Sequence, residues 1–276
     1  MFEMTPWMHP AALPGAMRIC RCGVPAPDPD GALWWPGERA GACVLCLHGH
    51  GAGADQPFVR PDIRDAWLPA VRGLGLGILS PELGSAHWMG PRAAGALRRL
   101  LAWARDRLGI DAVHVVAGSM GATAALAYAV LHPDDLRSVA ALCPATDIAA
   151  YHDWCVAHGG GVRDEIRAAI AAAYGGPPSA APAAYAAHSA LRRCARLALP
   201  VLVVHGSADE VIPVEQSRRL AAARQGADGF TYIELDGGDH DAPLRCGRLW
   251  TWLREQRDPA GDRLPERKEC HAETCD

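Results

Sequence analysis

The 276-residue chain is almost without lysine. Lys268 is its only lysine, so arginine carries nearly all of the positive charge, and the net charge at pH 7 is −4. Neither sign of charge dominates, which argues against a nucleic-acid surface and against an acidic tail. No apolar run is long enough to span a membrane, and the first residues lack the basic start and apolar core of a signal peptide. We therefore expect a cytoplasmic protein with no nucleic-acid partner and no membrane partner.

Cysteine is not scarce, since ten are present, but their spacing gives little support for a metal site. Cys43 and Cys46 lie in an apolar run typical of a buried strand, where residues three apart point to opposite faces. The other closely spaced groups are Cys20 with Cys22, and Cys270 with Cys275 around His271 in the polar tail. Without a signal peptide, free thiols in a reducing compartment are the expectation. We predict neither a metal nor an organic cofactor.

From residue 41 onward, short apolar runs alternate with helical patterns. Such alternation predicts βαβ units and an α/β fold built on a doubly wound, mainly parallel sheet. The expected strands lie at 42–48, 75–79, 112–117, 136–142, 201–204 and 230–235, and the expected helices at 62–71, 92–108, 120–131, 164–174, 182–194, 214–224 and 242–256.

A single domain with one insertion explains this pattern better than two domains do. We expect that domain to span residues 41–256, with a small helical insertion at about 147–195 acting as a lid. Residues 1–40, rich in Pro, Gly and Trp, are expected to form an irregular or short-stranded edge region. Residues 257–276 are polar and are predicted to be a flexible tail.

Ser119 lies between an apolar β-branched run and an alanine-rich helical stretch. Its neighbours Ala117, Gly118 and Gly121 are small, as a sharp strand-to-helix turn requires. Such a turn lifts a serine hydroxyl off the end of a central strand, although the usual pattern has glycine where Ala117 stands. An ordinary turn is the alternative explanation.

A serine hydroxyl needs a base, and a histidine base needs an acid to hold its tautomer. In a doubly wound sheet, such groups gather at the carboxyl ends of the strands. Asp209 follows the predicted strand 201–204, and His240 follows the predicted strand 230–235. Asp147, after the strand that follows Ser119, is an alternative acid.

Four motifs together resemble the α/β-hydrolase superfamily, and most of all its dienelactone hydrolase and prolyl-oligopeptidase-type branch. They are His48-Gly49-His50-Gly51, Gly118-Ser119-Met120-Gly121, His205-Gly206-Ser207-Ala208-Asp209 and Gly238-Asp239-His240, in family order over about residues 40–255.

The resemblance implies that Ser119 is the nucleophile, His240 the base and Asp209 the acid. It also implies an oxyanion hole made by two backbone N–H groups. One is that of Met120, and the other comes from the glycine-rich loop, with His50 as first candidate and Gly51 as second.

The remaining histidines and serines fit structural roles better. His205 and His48 are expected to be turn and loop elements, and Ser80, Ser189 and Ser207 lack the tight turn. The histidines expected at the surface are His87, His158 and His188. Asp239 and Asp241 flank His240 and are expected to raise its pKa, because nearby negative charge favours the imidazolium.

The aromatic and sulfur-containing residues near the predicted site suggest a substrate pocket. Trp88 and Met89 follow the second predicted strand, and Tyr151 and Trp154 lie in the insertion. We expect them to line an apolar pocket; the alternative is that they pack the insertion onto the core.

A small lid over an apolar pocket indicates a serine esterase that takes a small-molecule ester with a short or medium acyl group. About 40 residues precede the first core strand, which leaves no room there for a large propeller and favours an esterase over a peptidase. The alternatives are a prolyl-oligopeptidase-like peptidase, an acyltransferase or thioesterase, and a non-catalytic binding module. The sequence does not indicate the oligomeric state.

Overall fold

The computed structural model describes residues 3–6, 20–23 and 31–257. Within these ranges one sheet forms, with strand order β1-β2-β3-β5-β4-β6-β7-β8-β9. The strands are β1 (Glu3–Pro6), β2 (Cys20–Gly23), β3 (Ala32–Trp35), β4 (Ala42–Leu47), β5 (Gly77–Pro81), β6 (Ala112–Gly118), β7 (Ser138–Leu142), β8 (Val201–Gly206) and β9 (Phe230–Leu235).

The pairing of the strands divides the sheet into two parts. Strands β4 to β9 pair in parallel, whereas β1, β2 and β3 pair antiparallel and end on the outer side of β5. The prediction of an α/β fold on a mainly parallel sheet is confirmed. Cys270, His271 and Cys275 of the predicted tail lie outside the described residues.

Helices cover both faces of the sheet. They are α1 (Gln56–Val59), α2 (Pro61–Gly73), α3 (Pro91–Leu108), α4 (Met120–Leu131), α5 (Ile148–Ala157), α6 (Val162–Tyr174), α7 (Pro182–His188), α8 (Glu215–Ala223) and α9 (Arg248–Arg257). Short 3-10 turns lie at Pro133–Asp135, Cys194–Arg196 and Ala242–Arg245.

The core has one layer on each face of the sheet. Side chains of α3 and α4 pack on one face together with Cys43, and those of α2 and α9 pack on the other together with Cys46. The two cysteines are buried and free, and they lie on opposite faces as predicted. A third cluster joins α5, α6 and α7 to the segment that follows β5.

The segment between β7 and β8 differs from the expected pattern in two helices. Helix α5 was not predicted, because eight of its ten residues are apolar and leave no helical periodicity. Asp147 caps its N-terminus by accepting a hydrogen bond from the Ala150 N–H. Helix α7 ends at His188, earlier than expected, because the chain then turns back and the Leu191 N–H donates to the Thr146 carbonyl at 2.9 Å.

No helix within residues 31–257 combines the length and the apolar character that crossing a bilayer demands.

Candidate active site

Ser119 lies at the junction of β6 and α4 in a strained backbone conformation. Its φ is 57° and its ψ is −124°, a region that residues other than glycine seldom occupy. The Ser119 N–H donates to the Leu142 carbonyl at 2.8 Å, which ties the turn to the neighbouring strand β7. A side chain at Gly121 would collide with the backbone of Leu47. The small neighbours of Ser119 are therefore a steric requirement of this turn.

Asp209 lies in the loop after β8 and is held from two sides. Its Oδ1 accepts hydrogen bonds from the N–H groups of Val211 at 2.8 Å and Ile212 at 2.9 Å. Its Oδ2 accepts a hydrogen bond from Nδ1 of His240 at 2.7 Å. The carboxylate has one fixed orientation and points at the His240 ring.

His240 follows β9 and connects Asp209 to Ser119. Since Oδ2 of Asp209 is an acceptor, Nδ1 of His240 carries a proton, and in the neutral ring Nε2 therefore has the free lone pair. The Ser119 hydroxyl donates to that Nε2 across 2.9 Å. The three residues thus form a hydrogen-bonded chain in the order and tautomer that activate a serine.

Asp209 and His240 shift each other's pKa in opposite directions. Burial by itself would raise the pKa of Asp209, but hydrogen bonds with His205 and His240 hold it well below its usual range. Burial would lower the pKa of His240, but its contacts with the Cys143 sulfur and the Asp209 carboxylate outweigh burial and raise that pKa to about 10. The pair therefore favours the ionised carboxylate and the imidazolium.

Asp239 and Asp241, expected to raise the pKa of His240, are engaged elsewhere. Asp239 accepts from the Ala242 N–H at 2.8 Å, and Asp241 accepts from the Arg60 guanidinium at 3.1 Å. Asp147, the alternative acid, pairs with Arg192 at 3.2 Å. Asp239 and Asp241 thus have hydrogen-bond partners other than His240. The carboxylate that contacts the His240 ring is that of Asp209.

His205 supports Asp209 in a way that sequence reasoning missed. Its Nε2 lies 3.2 Å from Oδ2 of Asp209 and 2.9 Å from the Ile212 carbonyl, and its Nδ1 lies 2.7 Å from the Ser217 hydroxyl. Because the Ile212 carbonyl can only accept, Nε2 carries the proton and also faces Asp209. A histidine four residues before an acid, at a strand end, is the signal that could have indicated this contact.

The glycine-rich loop after β4 is fixed on several sides. Nε2 of His48 donates to the Glu82 carbonyl at 2.7 Å, and the Gly49 N–H donates to Oε1 of Gln56 at 2.8 Å. The Gly51 N–H donates to the Ser85 carbonyl at 2.7 Å, so it is already paired and unsuited to an oxyanion. His50 remains the candidate from this loop.

Met120 is the other candidate donor. It is the first residue of α4, and the first N–H groups of a helix have no carbonyl partner within the helix. Its position directly after Ser119 places this N–H at the base of the turn.

A cavity of about 250 Å³ opens beside Ser119 and His240. Most of its wall is apolar and comes from α2, α6 and nearby loops. The apolar side chains are Leu47, Pro57, Ile63, Trp67, Val162, Ile166, Val211 and Leu244. Besides Ser119 and His240, polar or sulfur atoms come from Cys46, His48, His50, Gln56, Arg60, Cys143 and Asp241. Arg60 pairs with Asp62 at 2.7 Å as well as with Asp241, so its charge is compensated.

The prediction that Trp88, Met89, Tyr151 and Trp154 line this cavity is wrong. Trp88, Met89 and Tyr151 are fully buried, and Trp154 stacks on Tyr151 with ring centroids 6.0 Å apart. Their apolar surface joins the insertion to the core instead, which was the alternative interpretation.

Two hydrogen bonds of Trp88 hold it between the insertion and the glycine-rich loop. The Tyr174 hydroxyl donates to the Trp88 carbonyl at 3.2 Å, and Trp88 Nε1 donates to Nδ1 of His50 at 3.3 Å. The aromatic rings therefore pack behind the glycine-rich loop, where they support it, and do not enter the cavity. The spacing of Ile63 and Trp67 on one face of α2, with Arg60 directly before the helix, is the signal that could have located the true wall.

Two of the three histidines expected at the surface are buried. Nδ1 of His87 accepts from the Met89 N–H at 3.1 Å, and His188 Nδ1 donates to the Met89 carbonyl at 2.7 Å. Burial lowers the pKa of both rings. His158 is exposed, as expected.

Comparison with known proteins places this geometry in a family. A family model described as the alpha/beta hydrolase fold matches residues 23–159. Esterase LipC of Mycobacterium tuberculosis (strain ATCC 25618 / H37Rv) is 46% identical over 63 residues, which are 21% of this chain and 15% of that relative. The chain thus spans a small part of the length of this curated relative.

Two solved structures share the architecture at low sequence identity. The Pyrococcus furiosus esterase Pf2001 aligns with a TM-score of 0.60 and 12% identity, covering 93% of this chain and 91% of that one. A Mycobacterium tuberculosis puromycin-hydrolyzing peptidase aligns with a TM-score of 0.64 and 17% identity, covering 93% of this chain and 38% of that one. The fold, the matched family model and the strand-to-helix turn at Ser119 agree: the chain belongs to the α/β-hydrolase superfamily.

Proposed function

We propose that this protein is a serine hydrolase that cleaves a small-molecule carboxylic ester through an acyl-enzyme. The observation that carries the proposal is the hydrogen-bonded chain from Ser119 through His240 to Asp209, which opens onto an apolar cavity. In this proposal Ser119 is the nucleophile, His240 the base and Asp209 the acid.

Acylation follows from these contacts. The Ser119 Oγ attacks the ester carbonyl carbon while its proton passes to Nε2 of His240, across the existing 2.9 Å hydrogen bond. Asp209 stabilises the imidazolium that forms. The negative charge on the former carbonyl oxygen is met by the N–H groups of Met120 and His50, and such preorganised donors typically contribute about 3 to 4 kcal/mol each.

Collapse of the tetrahedral intermediate breaks the bond to the alcohol oxygen. His240 returns its proton to that oxygen, and the alcohol leaves. Water then attacks the Ser119 ester by the same route, with His240 taking a proton from the water and giving it back to the Ser119 oxygen. The products are a carboxylic acid, an alcohol and the original enzyme, so no metal or organic cofactor takes part.

The cavity supports an ester with a short or medium acyl group. Its wall is mainly apolar, and its one arginine, Arg60, is already paired with Asp62 and Asp241. An anionic substrate would find no free positive charge on that arginine. Burial of apolar acyl carbons contributes about 25 cal/mol per Å² of surface removed from water, which favours uncharged acyl chains.

A peptidase is the second candidate function. The observation in its favour is the similarity to the puromycin-hydrolyzing peptidase, of which this chain covers 38%. The esterase Pf2001 matches this chain over nearly its whole length, which favours ester hydrolysis by a domain of this size. An acyltransferase or thioesterase would use the same three residues and differ in what accepts the acyl group.

The experiment that separates these functions compares two substrate series on the purified full chain. We expect p-nitrophenyl esters of two to eight acyl carbons to be turned over with larger kcat/KM than aminoacyl-naphthylamides. Larger kcat/KM for the amides would favour the peptidase. Product analysis in the presence of added alcohols or thiols separates hydrolysis from transfer, since a hydrolase releases mainly the free acid.

A further inference from the structure

Cys143 lies beside the proposed catalytic residues, although it has no part in the proposed mechanism. It directly follows β7, is fully buried, and contributes to the wall of the cavity that contains Ser119 and His240. Its φ is 48°, a conformation that costs energy for any residue other than glycine. The Cys143 N–H donates to the Val204 carbonyl at 2.7 Å, which holds this strained residue in place.

The Cys143 sulfur forms a compact group with two of the catalytic residues. One ligand atom from each of Cys143, Asp209 and His240 lies within 4.8 Å of the others. Within residues 31–257, this is the group of His, Cys, Asp or Glu side chains whose ligand atoms converge enough to hold a metal ion.

We propose that Cys143, His240 and Asp209 form an inhibitory site for a thiophilic divalent cation, with Zn²⁺ as the natural candidate. Its effect on activity rests on the proposed function, whereas binding of the cation does not.

The donor set suits Zn²⁺ in kind and in charge. Thiolate, imidazole and carboxylate are the three ligand types that this cation takes from proteins, and a water or the Ser119 hydroxyl completes a four-coordinate site. Binding releases one proton from the Cys143 thiol and one from the His240 imidazolium to solvent, so His240 binds as a neutral ring. The thiolate and the carboxylate then balance the two positive charges, so the buried site is neutral overall.

Binding at either ring nitrogen of His240 would stop catalysis. A cation on Nε2 occupies the lone pair that accepts the Ser119 proton. A cation on Nδ1 replaces the hydrogen bond to Asp209, which fixes the tautomer that the base requires. In either case His240 no longer serves as the base.

The surroundings of the site meet two further requirements of a metal site. Asp209 is oriented by the N–H groups of Val211 and Ile212 and faces His205, which are the outer contacts that typically strengthen metal binding. The cavity supplies an entry path, because it borders both Cys143 and His240.

The first test measures ester hydrolysis at Zn²⁺ concentrations set with a chelator. We expect Zn²⁺ alone to inhibit the parent enzyme, and excess chelator to restore activity. Cys143→Ala should raise the Zn²⁺ concentration for half inhibition by about 10- to 100-fold. Cys194→Ala, at a half-buried cysteine outside the site, is the matched control and should be inhibited like the parent. Equal inhibition of Cys143→Ala and the parent, or activation by Zn²⁺, would overturn the proposal.

A second test does not depend on activity. Co²⁺ bound to a thiolate gives a charge-transfer absorption band, which can be recorded on the full chain. The band should appear with the parent, with Cys194→Ala and with the inactive Ser119→Ala, and it should be lost with Cys143→Ala. A band of unchanged size in Cys143→Ala would refute the site.

The two readouts separate the two proposals. A Cys143-dependent band in a protein without esterase activity would refute the proposed function and leave the metal site standing. If Cys143→Ala does not fold, Cys143→Ser serves in its place, because it keeps a hydrogen-bonding group and removes the soft sulfur ligand.

Discussion

At the scale of single residues, the site depends on a few fixed contacts around His240. Asp209 sets which nitrogen carries the proton, and Ser119 donates to the other nitrogen. His205, buried beside Asp209, contacts Oδ2, the same carboxylate oxygen that accepts from His240, while Oδ1 is held by backbone N–H groups. These contacts predict both the pH dependence of the proposed reaction and its response to loss of the carboxylate.

Asp209→Asn should change both the rate and the pH profile. His240 accepts a proton only when it is neutral, so kcat/KM should rise as pH rises through the elevated pKa of His240, which lies above the ordinary 6.5. The substitution removes one charge that raises this pKa, so the remaining activity should reach its plateau at lower pH. It also removes the acceptor that fixes the tautomer, and we expect kcat to fall by about 10⁴. Rates measured from pH 5 to 10 test both effects.

Asp147→Asn is the matched control for this measurement. Asn caps a helix about as well as Asp does, so α5 should keep its N-terminal cap. Activity and pH profile close to those of the parent are expected. A loss of activity comparable to that of Asp209→Asn would assign the acid to Asp147.

At the scale of secondary-structure elements, the site is built by strand ends and its cavity by helices. Ser119, Asp209 and His240 follow β6, β8 and β9, whose carboxyl ends share one edge of the sheet. Helices α2 and α6 then close the apolar wall over this edge. In the proposed function, chemistry and substrate selection are thus assigned to different elements, and mutations can separate them.

Ile63→Ala on α2 should widen the cavity and shift the preferred ester toward longer acyl chains. Ile63 is almost fully buried and lines the cavity, so its truncation removes wall volume beside the acyl group. The free energy of unfolding should fall by about 2 to 5 kcal/mol, the usual range for this change in a core. The ratio of kcat/KM for octanoyl and butyryl esters, together with denaturant unfolding, measures both effects.

Leu68→Ala on the same helix is the control for Ile63→Ala. Leu68 is also buried in the core but does not line the cavity. It should lower stability by a similar amount and leave the chain-length ratio unchanged. A shift in that ratio in Leu68→Ala as large as in Ile63→Ala would show that lost stability, and not the wall, controls the preference.

At the scale of the whole molecule, the sequence predicts the order and direction of the strands better than it predicts which residues line the cavity. Period and order of the apolar runs were enough to predict a mainly parallel sheet and to place Ser119, Asp209 and His240 at strand ends. These features depend on local patterns, because a buried parallel strand is apolar along its length and a tight turn demands small residues. The catalytic roles of these three residues stay a prediction.

The lining of the cavity could not be predicted in the same way. It depends on where α2 and α6 lie over the sheet edge, which brings residues about 100 positions apart, such as Ile63 and Ile166, to one cavity. Trp88 and Tyr151 have the composition of a binding pocket, yet their apolar surface is used to attach the insertion. Helix α5 left no periodic signal, because eight of its ten residues are apolar and they occupy several faces. Which of these side chains are buried and which line the cavity is decided only when the elements pack together.

The central claim is that Ser119 is a nucleophile activated by His240. Its most direct test is reaction of the folded, full-length protein with a fluorophosphonate, followed by mapping of the adduct by mass spectrometry. We predict one adduct on Ser119, absent in Ser119→Ala, strongly reduced in His240→Ala, and unchanged in the control Ser179→Ala at an exposed turn. A folded parent protein that carries no adduct on Ser119, or that is labelled equally well in His240→Ala, would contradict the account.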